Sequence, residues 1–392
     1  MSEKLSQELP EKEHESILSE KKEEALDLVA KINELKSSAK TKEDYQQLTK
    51  LYQELEKIFE GGEGQELEPW LAEQYQSQID ILESRAIIYE LKPGERELGF
   101  KGIDGKEYPV PTQKEIAELI EKNKELIEKK KEQGFTKLLL VPFGMKIDDL
   151  AKKYGELIIE HFKDGNLQNS EGKRIEDLRK QGEGDNPIND ATGSSEHYPL
   201  WKWDQYTNAD VDGKLVYYPE SFDKNNHHGR NKTEVLKELG GWNIVLIEDM
   251  PDIPRQGKGK TVGDRKQLEA NSTPKEYLQV LANDKIYQNE SGMIPEDQLM
   301  YAITYLEENQ RIMDDYQGKG SISYQIGAFF PASDVVPGAY WRRGDRRASM
   351  SRSVPGHRGD GCGVRSAVRI YEFTDFNQPP SILPISARLD CI

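Results

Sequence analysis

Several groups of residues have types and spacings that could do chemistry, and each also has a plainer reading. Gly257-Lys258-Gly259-Lys260-Thr261 ends like a phosphate-binding loop, in which backbone N–H groups cradle phosphate and the lysine reaches its outer oxygens. The full pattern needs an upstream glycine where this chain has Pro254, which offers no N–H, so a solvated basic loop is expected. His227-His228 sits among Asp223, Asn225 and Asn226, yet adjacent histidines diverge on extended backbone and no third histidine lies at ligand spacing. A polar loop is the better reading. The oxygen-rich stretches 185–190 (DNPIND) and 208–213 (NADVDG) would suit a structural calcium ion, although neither has the full helix-loop-helix spacing; no other cofactor or metal is expected. Cys362 and Cys391 are the only cysteines, which excludes a disulfide scaffold and Cys-rich zinc sites. No Ser/His/Asp or Cys/His set is suggested by spacing, so no catalytic residue and no enzyme activity are expected. Arg343-Gly344-Asp345 and Arg358-Gly359-Asp360 spell an adhesion tripeptide, and Arg346-Arg347-Ala348-Ser349 a basophilic kinase site; matches this short carry almost no specificity.

The elements that must position these residues differ along the chain. Leu18, Ala25, Leu28, Ile32 and Leu35 recur at helical steps, and Tyr45, Leu48, Tyr52, Leu55 and Phe59 repeat at 3-4-3-4. Thr41 can cap that second helix, and Pro69 opens a third through Leu71, Tyr75, Ile79 and Leu82. These helices read as a spacer, or as a bundle through which copies of the chain associate. Asp104-Gly105 predicts a hairpin over Leu98–Val110, and Thr112 with Glu115 a capping box opening a helix to about Lys131. After Gly134 the texture changes. Strands are expected at Lys137–Phe143, Trp242–Glu248, Ile322–Phe330 and Val364–Tyr371, and helices at Ile147–Phe162, Thr273–Leu281 and Pro295–Tyr316. Between 164 and 235 the chain reads as long ordered loops held by Trp201, Trp203, Tyr206, Tyr217 and Tyr218. The fold class is therefore α+β, with a helical region over 1–135 and a second domain over 136–392.

The 54 basic and 71 acidic side chains leave a formal net charge of −17, which argues against general nucleic-acid binding. No apolar run approaches the roughly 20 residues of a membrane span, and the first residues lack the apolar centre of a signal peptide. Localisation stays open: a reducing compartment, or a virion or surface reached by a route the sequence does not spell.

The strongest signal is Arg342–Ile370, RRGDRRASMSRSVPGHRGDGCGVRSAVRI, which contains no Lys, Glu or Gln. No lysine follows Lys319, and eight of the 17 arginines fall between 342 and 369. Such small polar and arginine-rich chain cannot bury much apolar area, so it should lie on a surface braced by Trp341 before it and Val364, Val368 and Ile370 after it.

The frame 327–341 (GAFFPASDVVPGAYW), this irregular polar stretch and 363–370 (GVRSAVRI) resemble the end of variable proteins of diversity-generating retroelements. Segments 138–158 (LLLVPFGMKIDDLAKKYGELI) and 203–226 (WDQYTNADVDGKLVYYPESFDKNN) are similar to variable proteins of small-genome candidate bacteria and archaea. The resemblance spans about the last 255 residues; the first 135 share only a helical character.

That resemblance implies a C-type lectin fold of the subclass related to formylglycine-generating enzymes, and a variable segment near 340–363. In the family, error-prone copying at template adenines rewrites the segment. Mutated Asn codons cannot yield Lys, Glu, Gln, Met or Trp, so Trp341 and Met350 would be framework, together with Arg365–Arg369. Residues 371–392 continue beyond the last shared strand, which departs from the usual pattern and leaves the limit of the variable segment open. The expected binding surface is Arg342, Gly344, Asp345, Arg347, Ser349, Ser351, Ser353, His357, Asp360 and Gly361, with Trp341, Val364 and Val368 as anchors. Arg342, Arg343, Arg346, Arg347, Arg352 and Arg358 should make that face locally positive, favouring an acidic protein or an anionic cell-surface polymer over a neutral sugar. Alternatives are a formylglycine-generating-type oxidase using Cys362 and Cys391, and a structural or virion-associated scaffold.

Overall fold

The computed structural model describes residues 67–94, 96–180, 183 and 196–370, with scattered positions between 27 and 51. The chain divides into two compact units, Met1–Glu66 and Leu67–Ile392. In the first, Leu28 and Ile32 are helical and buried one turn apart, and Lys31 pairs with Asp27 at 2.7 Å. The apolar repeat Tyr45–Phe59 and the Thr41 cap lie outside the described residues.

The second unit is mixed α+β, and the division drawn at 135/136 falls inside it. The physical reason is a shared core. Leu71 and Leu82 of helix Pro69–Ser84, Phe100 of the hairpin and Ile116 bury with strand Phe135–Val141 in one cluster. The same helix covers the edge of that strand: the Gln78 amide donates to Leu138 O at 2.5 Å while its oxygen accepts from Leu140 N at 2.8 Å. One turn earlier, the Gln74 oxygen accepts from Leu138 N at 2.8 Å. An edge covered in this way cannot pair with another chain. The change of texture after Gly134 thus marks a switch from helix to strand within one domain.

Local signals place most elements. Thr112 and Glu115 form the expected capping box, although the helix breaks at Asn123 into Gln113–Lys122 and Lys124–Glu132. Thr273 and Glu276 cap Pro274–Asn283 in the same way. The helix expected over Pro295–Tyr316 ends earlier, at Asn309, where Gln310 turns left-handed at φ 58°. Asp315–Tyr316 becomes a short strand instead.

Two sheets carry the unit. One is antiparallel, in the order Ser291–Gly292, Ser366–Arg369, Asn243–Glu248, Phe135–Val141. The other runs Cys362–Val364, Ile322–Tyr324, Val336–Arg342, Arg347–Ser353, Leu200–Lys202, with Asp315–Tyr316 parallel to Val336–Arg342. Helix Pro295–Asn309 packs against strands of both sheets, and residues Pro295–Thr304 are all buried.

The long loops are held by buried aromatics, with Tyr206 and Tyr217 fully buried in the core, and by buried charge. Lys232 donates to Asp210 at 2.8 Å and to Glu296 at 2.9 Å, with all three side chains fully buried. Burial alone would lower the Lys232 ammonium, but Glu296 and Asp210 raise it above its usual range. Arg265 joins Glu248 at 2.9 Å and Glu290 at 2.8 Å, and Lys130 reaches the same Glu290 at 2.7 Å. Removing one member of such a set strands the others without solvent, so these ties fix the loop paths even where their net stabilisation is small.

Candidate binding surface

The arginine-rich segment forms the central hairpin of the second sheet. Val336–Arg342 pairs with Arg347–Ser353 through a tight turn at Arg343–Asp345, with Arg342 opposite Arg347 and Tyr340 opposite Ser349. Arg346 closes the turn in the left-handed region at φ 55°. Strand alternation sends Trp341, Ala348 and Met350 into the core, where they are 3 %, 4 % and 2 % exposed. Val364 and Val368 are fully buried, as expected of anchors.

The expected surface residues divide. Arg342, Gly344, His357 and Asp360 are exposed, and Asp345, Ser351 and Ser353 are half-buried. Arg347, Ser349 and Gly361 are buried, which corrects their assignment to an open face. Arg347–Ser353 is an interior strand, so Ser349 is flanked by Tyr340 on one side and Trp201 on the other. A Cβ at Gly361 would run into the Arg255 guanidinium and the Tyr316 ring. Burial of Ser349 also removes the apparent kinase site.

The expected positive face is mostly neutralised. Arg343 makes a two-pronged bond to Asp315 at 2.8 and 2.6 Å. Arg346 pairs with both Asp177 and Glu183, and Arg358 with Glu276 at 2.5 Å. Arg352 lies over the Trp203 ring, 4.6 Å from its centre. Among the described residues Arg342 and Arg347 have only Asp345, at 3.3 and 3.5 Å, and Arg179 faces the same carboxylate at 3.9 Å. Among the described residues the positive character is therefore concentrated at the hairpin tip, with exposed Arg352 a second charge that no carboxylate offsets.

Beside the tip lies an open pocket of about 220 Å³, with Asn169, Ile175 and Asp177 on one wall and Trp341, Arg343 and Arg346 on the other. The loop residues Asp177 and Arg179 and the strand residue Asp315 were not legible as site residues. No local pattern marks them; strand pairing and loop path bring them to the hairpin.

Two half-buried rings join the separated parts of the surface. Tyr316 lies opposite Arg342 in register and meets Tyr340 edge-on at 5.6 Å and 72°. On its other side Tyr316 borders Gly361, next to Asp360, whose carbonyl accepts from Arg255 at 2.9 Å.

No protein family, curated protein or solved structure matches the chain. Its own geometry must carry the functional reading.

The other motifs resolve simply. The amides of Gly257 and Gly259 donate to the Glu269 carboxylate at 3.0 and 2.7 Å, so an internal anion fills the loop that resembled a phosphate cradle. Those amides, that of Gly257 foremost, hold the Glu269 carboxyl below its usual range. The His227 ring accepts from Gly229 N at 2.9 Å, and the His228 ring bonds Asn226 at 2.7 Å. In 208–213, Asp210 is spent on Lys232 and on the Ile147 amide, the latter at 2.9 Å. Residues 185–190 lie outside the described residues. Among those described, no group of three His, Cys, Asp or Glu side chains could hold a metal, and no helix is long and apolar enough to cross a membrane. Cys362 is buried, and burial pushes its thiol up, away from a reactive thiolate. Cys391 lies outside the described residues.

Proposed function

We propose that this chain is the variable protein of a diversity-generating retroelement. Its C-terminal domain would be C-type-lectin-like, of the subclass related to formylglycine-generating enzymes, and would present the segment near 340–363 to a macromolecular target. One observation carries this reading. The two residues of the segment that a mutated Asn codon cannot encode, Trp341 and Met350, are 3 % and 2 % exposed. The exposed positions Arg342, Gly344, Arg352, Val354, Gly356, His357, Arg358 and Asp360 all carry residues such a codon can encode. Every exposed position thus carries a residue that such a codon can encode, and so do the buried Arg347, Ala348, Ser349 and Gly361. A rigid scaffold with changeable polar positions is the arrangement that variable recognition uses.

The surface is concave at the pocket beside the tip. Elsewhere it is a run of ion-paired arginines, serines and two tyrosines, which suits the adaptable, wet contacts of a protein target.

The test is the DNA around the gene. The expected result is a near-identical repeat beside a reverse transcriptase, differing from the coding copy only opposite template adenines, with changes at the exposed codons and none at Trp341 or Met350. Absence of such a repeat, or differences spread through the buried codons, would overturn the reading.

A further inference from the structure

We propose that the hairpin tip holds an anion site, formed by Arg342, Arg347 and Arg179 around Asp345, that receives a carboxylate of the bound partner. This rests on the reading of the segment as a binding surface and specifies what that surface takes. Three guanidiniums share one carboxylate here, every separation is long, and only Arg179 among them has a further acceptor among the described residues, the Glu183 carbonyl. Arg342, Arg347 and Arg179 stand 3.3, 3.5 and 3.9 Å from Asp345, whereas charge-assisted pairs close to about 2.7–2.9 Å when satisfied. The neighbouring Arg343 shows that this hairpin can close such a pair, with both bonds to Asp315 at 2.8 Å or less.

An independent observation points to a missing acceptor. Arg347 is 7 % exposed, its one bond is the 3.5 Å contact to Asp345, and its buried Nε–H has no partner among the described residues. An unmet guanidinium donor in a buried position is costly, and a bound anion would remove that cost. Burial lowers the Arg347 guanidinium below its usual range, Asp345 opposes this, and Arg179 and Arg342 add to the decrease. Arg342 is the accessible member of the group, its side chain 47 % exposed, so a ligand oxygen can approach from solvent. Of the other arginines of the segment, Arg343, Arg346 and Arg358 already have carboxylates, and Arg352 lies over the Trp203 ring away from Asp345. A carboxylate matches the planar fork of a guanidinium, and it is carried by Asp and Glu side chains and by uronic acids alike.

The experiment uses the full chain with nitrogen-15 label in its arginines, comparing sodium acetate with sodium chloride at equal ionic strength. Further probes are the peptide acetyl-Gly-Glu-Gly-amide, its Gln counterpart and glucuronate. Arg347 is buried and its replacement risks the fold, so Arg342→Gln and Arg179→Gln carry the test. Acetate should shift the Arg347 Nε–H resonance saturably, with affinity about tenfold weaker in either variant. The Glu peptide should bind and the Gln peptide should not. Binding by the Glu peptide but not by glucuronate supports a polypeptide source of the carboxylate; binding by both supports the site with either source. No acetate-specific shift, or equal shifts from the Gln peptide or in Arg342→Gln, would overturn the proposal. Such a failure beside an intact template repeat refutes the anion site alone, whereas absence of the repeat refutes the wider reading whatever acetate does.

Discussion

Arg365 and Arg342 lie in the same arginine-rich stretch and meet opposite fates. Arg365 is 3 % exposed and fully occupied: it forks onto Asp314 with both bonds at 2.8 Å and also donates to the carbonyls of Met250 and Pro251. Burial alone would lower its guanidinium, but Asp314 beside it raises it above the usual range. Arg369 behaves similarly, bonded to Asp297 at 2.8 Å and set over the Tyr218 ring. At the hairpin tip, Arg342 and Arg347 share a single carboxylate. Residue type is the same in both places, and the number of acceptors differs. Arg365 inside the fold is fully paired, whereas Arg342 and Arg347 at the tip are short of acceptors.

The sharpest way to break this comparison is to remove a framework arginine. Arg365→Met should cost about 3–5 kcal/mol, because it leaves Asp314 buried without its counter-ion. Urea unfolding would measure it, and a loss under 1 kcal/mol would place Arg365 with the tip residues. Trp341→Ala should lose a similar amount, about 3–5 kcal/mol, because the ring is 3 % exposed.

A smaller effect tests the same acidic neighbourhood through pH. The Asp252 carboxyl is pushed up to about 6 by burial and by Asp314, with Arg365 pulling the other way. A carboxyl raised above its unfolded value costs nothing below about pH 4, where both states are protonated. Stability is lost as pH rises through the window to about 6, and the full cost applies above it. Asp252→Asn should therefore raise stability at pH 7–8 by roughly 1–3 kcal/mol, with the gain fading toward pH 4. Thermal melts across that range would check it; a gain that grows on acidification has the wrong sign.

Next comes the split between buried and exposed positions of Arg342–Asp360. Ser349→Leu should cost about 1–3 kcal/mol, since a larger side chain has no room between Tyr340 and Trp201. The smallest effects belong to the exposed positions. Serine at Arg342, His357 and Asp360 should each change stability by no more than about 0.5 kcal/mol in denaturant titrations. If these cost as much as Ser349→Leu, the hairpin and loop are structural rather than a face for binding.

The sequence by itself determined the features written over a few residues. The Thr112–Glu115 and Thr273–Glu276 caps, the Asp104-Gly105 turn and the buried anchors Trp341, Val364 and Val368 depend on backbone geometry and apolar size, which are local properties. It also determined that residues 342–370 differ in composition from the rest of the chain, with eight arginines and no Lys, Glu or Gln. Only the tertiary structure decided what that composition does. Whether an arginine is free, paired or buried depends on carboxylates such as Asp177 and Asp315, more than 25 residues away in sequence, delivered by loop paths and strand register. Periodicity cannot report this, because Arg347–Ser353 is an interior strand whose residues Arg347, Ala348, Ser349 and Met350 are buried on both faces by elements distant in sequence. That is why Arg347 and Ser349 read as surface and lie buried.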